Sequence, residues 1–124
     1  MALTLKNSEE GLSIVSHNIE FLGCKTSRLE TALELAPEFV EAVRLSGATY
    51  LSEKFEQFEP AGVTGVVIVA ESHFSIHTWP EHGIAAIDAL TCSTSVDIEK
   101  FISRLSAFCK PQEVKHCPVK RILI

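Results

Sequence analysis

Apolar positions along the chain change their spacing several times, and each change marks an element. Ile14, Val15, Ile19, Phe21 and Leu22 give Ser13–Leu22 the pattern of a strand, ended by Gly23-Cys24. From Ser27 to Ser46 the spacing is helical: Leu29, Ala32, Leu33 and Ala36, then Phe39, Ala42, Val43 and Leu45. Pro37 predicts a kink there or the first turn of a second helix, and Gly47 a stop. Ala48–Phe58 returns to strand composition and ends at a Pro60-Ala61-Gly62 turn. Val63–Ala70 is a β-branched run that predicts a strand covered on both faces. His73–Trp79 alternates with period two, and Gly83–Cys92 reads as another strand. Asp97–Phe108 is an amphipathic helix with Ile98, Phe101, Ile102, Leu105 and Phe108 on one face, capped by Thr94 or Ser95. Glu113–Ile124 closes as strand. The order β-α-β-β-β-β-α-β predicts an α+β, two-layer sandwich: an antiparallel or mixed sheet with both helices on one face.

Composition narrows the function classes. The chain has 124 residues, the length of one domain, so residues 1–124 are read as a single unit. A net charge of -5 argues against a protein built to bind nucleic acid. The apolar run Val66–Ala70 is too short to cross a bilayer. Met1–Glu10 carries no basic-then-apolar leader pattern, so a cytoplasmic location is expected. No pair among Cys24, Cys92, Cys109 and Cys117 is spaced as CxxC. Three of the four are expected to be partly buried apolar residues, Cys92 being the exception.

Candidate chemistry is concentrated in Glu71–Cys92. On a strand, His73, Ser75, His77 and Trp79 share one face, and Phe74, Ile76 and Thr78 the other. Two imidazoles, a hydroxyl and an indole are costly to bury without partners, so that face meets water or lines a site. A metal site of His73, His77, His82 and Cys92 is disfavoured, because strand positions four apart lie about 13 Å apart. A nucleophilic reading remains: Ser72 follows a carboxylate where a strand-like run ends, with histidines nearby as bases.

Glu71-Ser72-His73-x-Ser75-Ile76-His77-Thr78-Trp79-Pro80-Glu81, followed by Gly83, Ala85-Ala86, Asp88 and Thr91-Cys92, resembles the signature of bacterial and archaeal S-adenosylmethionine decarboxylase proenzymes. Gly62-Val63-Thr64-Gly65-Val66-Val67 and Gly47-Ala48-Thr49 fit the same family, as does Phe21-Leu22-Gly23-Cys24 less closely. The resemblance covers His17–Cys92 and thins towards the C-terminus.

That resemblance implies self-cleavage between Glu71 and Ser72 into a β chain of residues 1–71 and an α chain of residues 72–124. Ser72 becomes a pyruvoyl group that forms a Schiff base with the substrate amine and replaces pyridoxal phosphate. His77 is then the processing base, Thr64 assists it, and His73 supports cleavage. Cys92 matches the proton donor for the substrate's α-carbon. Glu81 matches a carboxylate for the ribose hydroxyls and Phe58 an aromatic for the adenine, whereas Trp79 packs the pocket wall. The implied product is decarboxylated S-adenosylmethionine, the aminopropyl donor for spermidine synthesis, made by a homodimer of cleaved αβ protomers with sites near the interface. No metal, nucleic acid or membrane partner is implied.

The chain departs from the family in His82-Gly83-Ile84, where Tyr-Gly-Tyr is usual, and in Ser93, where Gly is common. Some relatives of the family decarboxylate arginine or ornithine, which stay open as alternative substrates. A non-processing regulatory paralogue and a histidine-based metal hydrolase are the alternatives from other classes.

Overall fold

Alternation along the strands decides which face of the sheet is buried. The computed structural model describes residues 13–70, 72–92 and 96–124. The strands β1 (Ser13–Leu22), β2 (Tyr50–Gln57), β3 (Val63–Val69), β4 (Ser72–Trp79), β5 (Ile84–Cys92) and β6 (Glu113–Ile122) form one sheet in the order β2-β3-β4-β5-β1-β6. Every neighbouring pair is antiparallel, which removes the mixed-sheet alternative. Two helices, α1 (Ala32–Leu45) and α2 (Ile98–Cys109), complete an α+β, two-layer fold.

The registers align Ile19 with Ile87, Ile87 with Ile76, and Ile76 with Gly65, so one row of residues crosses four strands on a common face. The helices cover this face. Phe101 of α2 meets Phe39 of α1 edge-on at 5.6 Å between ring centres and lies 4.9 Å from Phe74 of β4. All three rings are fully buried. Burial of each contributes about 1.5–3 kcal/mol, with an increment for the ring geometry. Gly65 sits where β2 brings Phe55 across from it, and a Cβ there would run into the Phe55 ring.

Several expectations are corrected. The segment predicted as helix from Ser27 begins as a short 3-10 turn, Thr26–Arg28, and α1 starts only after Thr31, whose hydroxyl accepts from the Glu34 N–H. Leu29 is buried between the two elements as an anchor rather than a helical residue. Pro37 lies inside α1 and neither ends it nor starts a second helix. The N–H it lacks would have met the carbonyl of Leu33, a residue 86% exposed, where water can take that bond. β3 is not covered on both faces. Val63, Gly65, Val67 and Val69 are buried, but Ile68 on the opposite face is 40% exposed. Cys24 and Cys109 are buried as expected, but Cys117 is exposed because β6 is an edge strand. Thr94 and Ser95 lie outside the described residues; Asp97 caps α2, its carboxylate accepting from the N–H groups of Glu99 and Lys100.

Candidate active site

The predicted residues fall at two opposite ends of the sheet. At one end, β4 begins at Ser72, paired with Val69 across the turn from β3. The Ala70 N–H donates to the Thr49 carbonyl at 2.9 Å and ties that turn down. The Ser72 Oγ is buried and is the one buried side-chain polar atom among the described residues without a hydrogen-bond partner. An orphaned hydroxyl in such a place is costly, and packing alone does not account for it. Ser72 shares the parity of Phe74 and Ile76, yet as the first residue of its strand it sits on the sheet's rim. Glu71, the other half of the expected cleavage site, lies outside the described residues. His73 pairs with Leu90, which brings the end of β5, and with it the buried Cys92, to the same rim as Ser72.

The other end holds the remaining candidates. Thr64 and His77 are partners in the β3–β4 register, and the Thr64 Oγ1 lies 3.1 Å from the His77 Nδ1. The two side chains line a cavity of about 290 Å³ with Phe58, Trp79 and Glu81. Phe58 is 51% and Trp79 43% exposed, and the His77 and Trp79 rings lie 6.3 Å apart, tilted by 31°. A short turn, Pro80–His82, follows β4, and Gly83 leaves it with φ of 65°, a left-handed conformation that favours glycine. That turn places Glu81 beside Trp79. Thr78, on the opposite face, donates to the Leu29 carbonyl and accepts from the Val63 N–H, both at 2.9 Å.

The structure therefore brings Thr64, His77, Phe58 and Glu81 together and Ser72 with Cys92, but not the two groups with each other. Ser72 and His77 are five residues apart on one strand, about 16 Å at the usual rise per residue. His73 belongs to neither group: it faces a polar depression lined also by Ser16, Asn18, Asp88 and Arg121.

Burial shifts two of the thiols. Burial pushes Cys24 up to about 11. Burial, with Cys24 nearby, pushes Cys109 up to about 12. Neither is a nucleophile at neutral pH. On the helix side, the His17 Nδ1 lies 2.9 Å from the His116 Nε2. Burial first and His116 second hold His17 below the usual 6.5, with Glu99 opposing them.

Residues that sequence reasoning missed are the supports of the cavity. Gln57 at the end of β2 accepts from the Ala32 N–H at 2.7 Å, and its amide nitrogen lies within 2.9–3.1 Å of the carbonyls of Glu30, Phe58 and Gly62. No spacing rule marks it; only the polar end of an edge strand next to a turn hints at the role.

Comparison with known proteins places the chain in a family. The chain is 41% identical over 106 residues to the S-adenosylmethionine decarboxylase proenzyme of Methanococcus maripaludis strain S2, covering 86% of this chain and 87% of that one. It is 42% identical over 103 residues to the proenzyme of Thermococcus onnurineus, covering 83% and 73%. The crystal structure of the adenosylmethionine decarboxylase of Aquifex aeolicus superposes with a TM-score of 0.82 at 26% identity, over 92% of this chain and 94% of that one. The Trypanosoma brucei enzyme shares the fold alone, with a TM-score of 0.58 at 16% identity over 82% of this chain and 43% of that one. The family model for S-adenosylmethionine decarboxylase matches residues 16–122, nearly the whole described chain, and the protein belongs to that family.

Proposed function

We propose that the chain is a proenzyme that cuts itself between Glu71 and Ser72 and then decarboxylates S-adenosylmethionine. The buried, unpartnered Ser72 Oγ carries the reading. Its hydroxyl attacks the Glu71 carbonyl carbon; the new C–O bond replaces the C–N bond, and the hydroxyl proton passes to the freed nitrogen, leaving an ester. A base takes the Cα proton of Ser72, the Glu71 carboxylate leaves from the β-carbon, and water then replaces the nitrogen as ammonia. The chain ends as residues 1–71 and 72–124, the latter beginning with a pyruvoyl group. Once formed, that group supplies the electron sink for carbon dioxide loss.

His77 is the base in this scheme, with the Thr64 hydroxyl holding its Nδ1. The distance from Ser72 requires the His77 to come from a second chain. A two-fold homodimer that lays the open sheet faces together, strands antiparallel, sets the Ser72 rim of one protomer over the His77 end of its partner. Two observations support this pairing. Among the described residues no element covers the face bearing Ile68, Trp79 and Phe58. The cavity of about 290 Å³ falls at the low end for a nucleoside-sized ligand, so its other walls come from elsewhere.

In the closed site Phe58 stacks on the adenine and Glu81 accepts from the ribose hydroxyls, which favours an adenosyl substrate over arginine or ornithine. Cys92, on the Ser72 rim, returns the proton to the substrate's α-carbon. His73 borders the cut and supports it. A cytoplasmic site of action fits a small-molecule reaction of this kind; no helix among the described residues is long and apolar enough to cross a membrane.

Intact mass together with release of labelled carbon dioxide tests the reading. The purified protein should give two chains, the 72–124 chain lighter by one ammonia than a serine-terminated one, and should release carbon dioxide from S-adenosylmethionine. A single uncut chain active on arginine or ornithine would overturn it.

A further inference from the structure

We propose that Gln57 is a positioning residue that sets the adenosyl cavity by tying the Phe58–Gly62 loop to the start of α1. The inference rests on the active-site reading of that cavity and goes beyond it, because Gln57 does not line the cavity and reaches Phe58 only through its backbone carbonyl.

Four contacts converge on one amide. Its oxygen accepts from the Ala32 N–H at 2.7 Å, one of the donors that a helix start leaves unsatisfied. Its nitrogen has two hydrogens to share among the carbonyls of Glu30 at 2.9 Å, Phe58 at 3.0 Å and Gly62 at 3.1 Å. The loop closes on itself through the Phe58 N–H and the Gly62 carbonyl at 2.9 Å, and the Gly62 N–H reaches the Glu30 carbonyl at 3.0 Å. Gln57 thus holds both stems of the loop and fastens them to a segment some 25 residues away in the chain. Phe58, half exposed, has little packing of its own to fix its ring. Its place in the cavity wall, which Trp79 also lines, follows from its backbone, and its backbone is held by this amide.

The substitution Gln57→Met keeps the length and shape of the side chain and removes all four bonds. Trp79, the only tryptophan, lines the cavity, so its emission reports ligand entry without turnover. Titration of the processed protein with S-adenosylmethionine should show Kd and KM raised at least about fivefold in Gln57→Met, with kcat within about twofold of wild type and self-cleavage complete. Leu105→Val, a core change in α2 remote from the cavity, lowers stability as a control and should leave Kd and KM unchanged. If wild type itself gives neither a Trp79 response nor carbon dioxide, the reading of the cavity fails and takes this inference with it. If wild type responds but Gln57→Met binds with unchanged Kd, or Leu105→Val weakens binding equally, Gln57 is a structural tie only and the inference is overturned.

Discussion

Subunit mixing gives the sharpest test of where the processing base resides. Ser72 and His77 lie about 16 Å apart on one strand, whereas proton transfer needs heavy atoms about 3 Å apart. No rotamer of either side chain spans that difference, so within one protomer the two cannot react. Under the proposed roles, Ser72→Ala chains lack the nucleophile and His77→Ala chains lack the base, and each expressed alone should stay uncut. Co-expressed in equal amounts, about half of all dimers are mixed if pairing is random. A mixed dimer contains one site with both groups intact, formed by the Ser72 of the His77→Ala chain and the His77 of its partner. About half of the His77→Ala chains should therefore be cut and none of the Ser72→Ala chains, leaving about one quarter of the sites of wild type. Tags of different mass on the two chains let intact-mass spectrometry count them separately. Cys92 sharpens the test further, because it shares the Ser72 rim. Cys92→Ala should recover turnover when mixed with His77→Ala but not when mixed with Ser72→Ala. Cleavage in the His77→Ala chain alone, or no cleavage in the mixture, would refute the shared site.

Three other outcomes follow from the packing and the titration. Phe101→Ala removes the ring that joins Phe39 to Phe74 and should cost about 3–5 kcal/mol in urea unfolding; a loss under about 1 kcal/mol would contradict the assigned core. Thr64→Val frees the His77 ring from a bond worth about 0.5–1.5 kcal/mol and should slow self-cleavage roughly fivefold, measured by the fraction cut over time in the mixed-subunit background. His17 has a folded pKa below 6.5, so the unfolded chain binds its proton first as pH falls. Its contribution is present above pH 6.5 and is lost as pH drops from 6.5 towards the folded value. His17→Asn should flatten that part of the stability curve against pH, and an unchanged slope would remove His17 as its source.

Much of the fold was legible because period and composition together separate the elements. The alternation of Phe74, Ile76 and Thr78 with His73, Ser75 and His77 places the core face of β4 correctly. The same rule reads β5 and the face of α2 that carries Phe101 and Leu105. Illegible features depended on neighbours distant in sequence. Leu29 has helical spacing, yet it is buried as the anchor of a loop because Thr78 takes its carbonyl. Val66 and Ile68 have the composition of a doubly covered strand, and composition cannot tell a covered face from one that waits for a partner. Cys117 looks like a core thiol until β6 is found at the sheet edge. The family resemblance implies Ser72, His77 and Cys92 as one constellation. The strand rise that separates His73 from His77 also separates Ser72 from His77, and motif adjacency hides that distance. Gln57 has no local signature at all, since its four partners come from the loop after it and from the start of α1.

The open sheet face and the divided site have a common physical origin. One period-two pattern serves both faces of β4: Phe74 and Ile76 build the core, and His77 and Trp79 look to the open side, while Ser72 stands at the rim where the strand begins. Among the described residues the two helices cover only one face. The uncovered face keeps apolar groups in contact with water, at about 25 cal/mol for each Å² left exposed. The homodimer proposed above would remove this cost and close the cavity with the same surface. In that pairing the distance between Ser72 and His77 along one strand, about 16 Å, is what an antiparallel two-fold arrangement of the open faces would bridge between protomers.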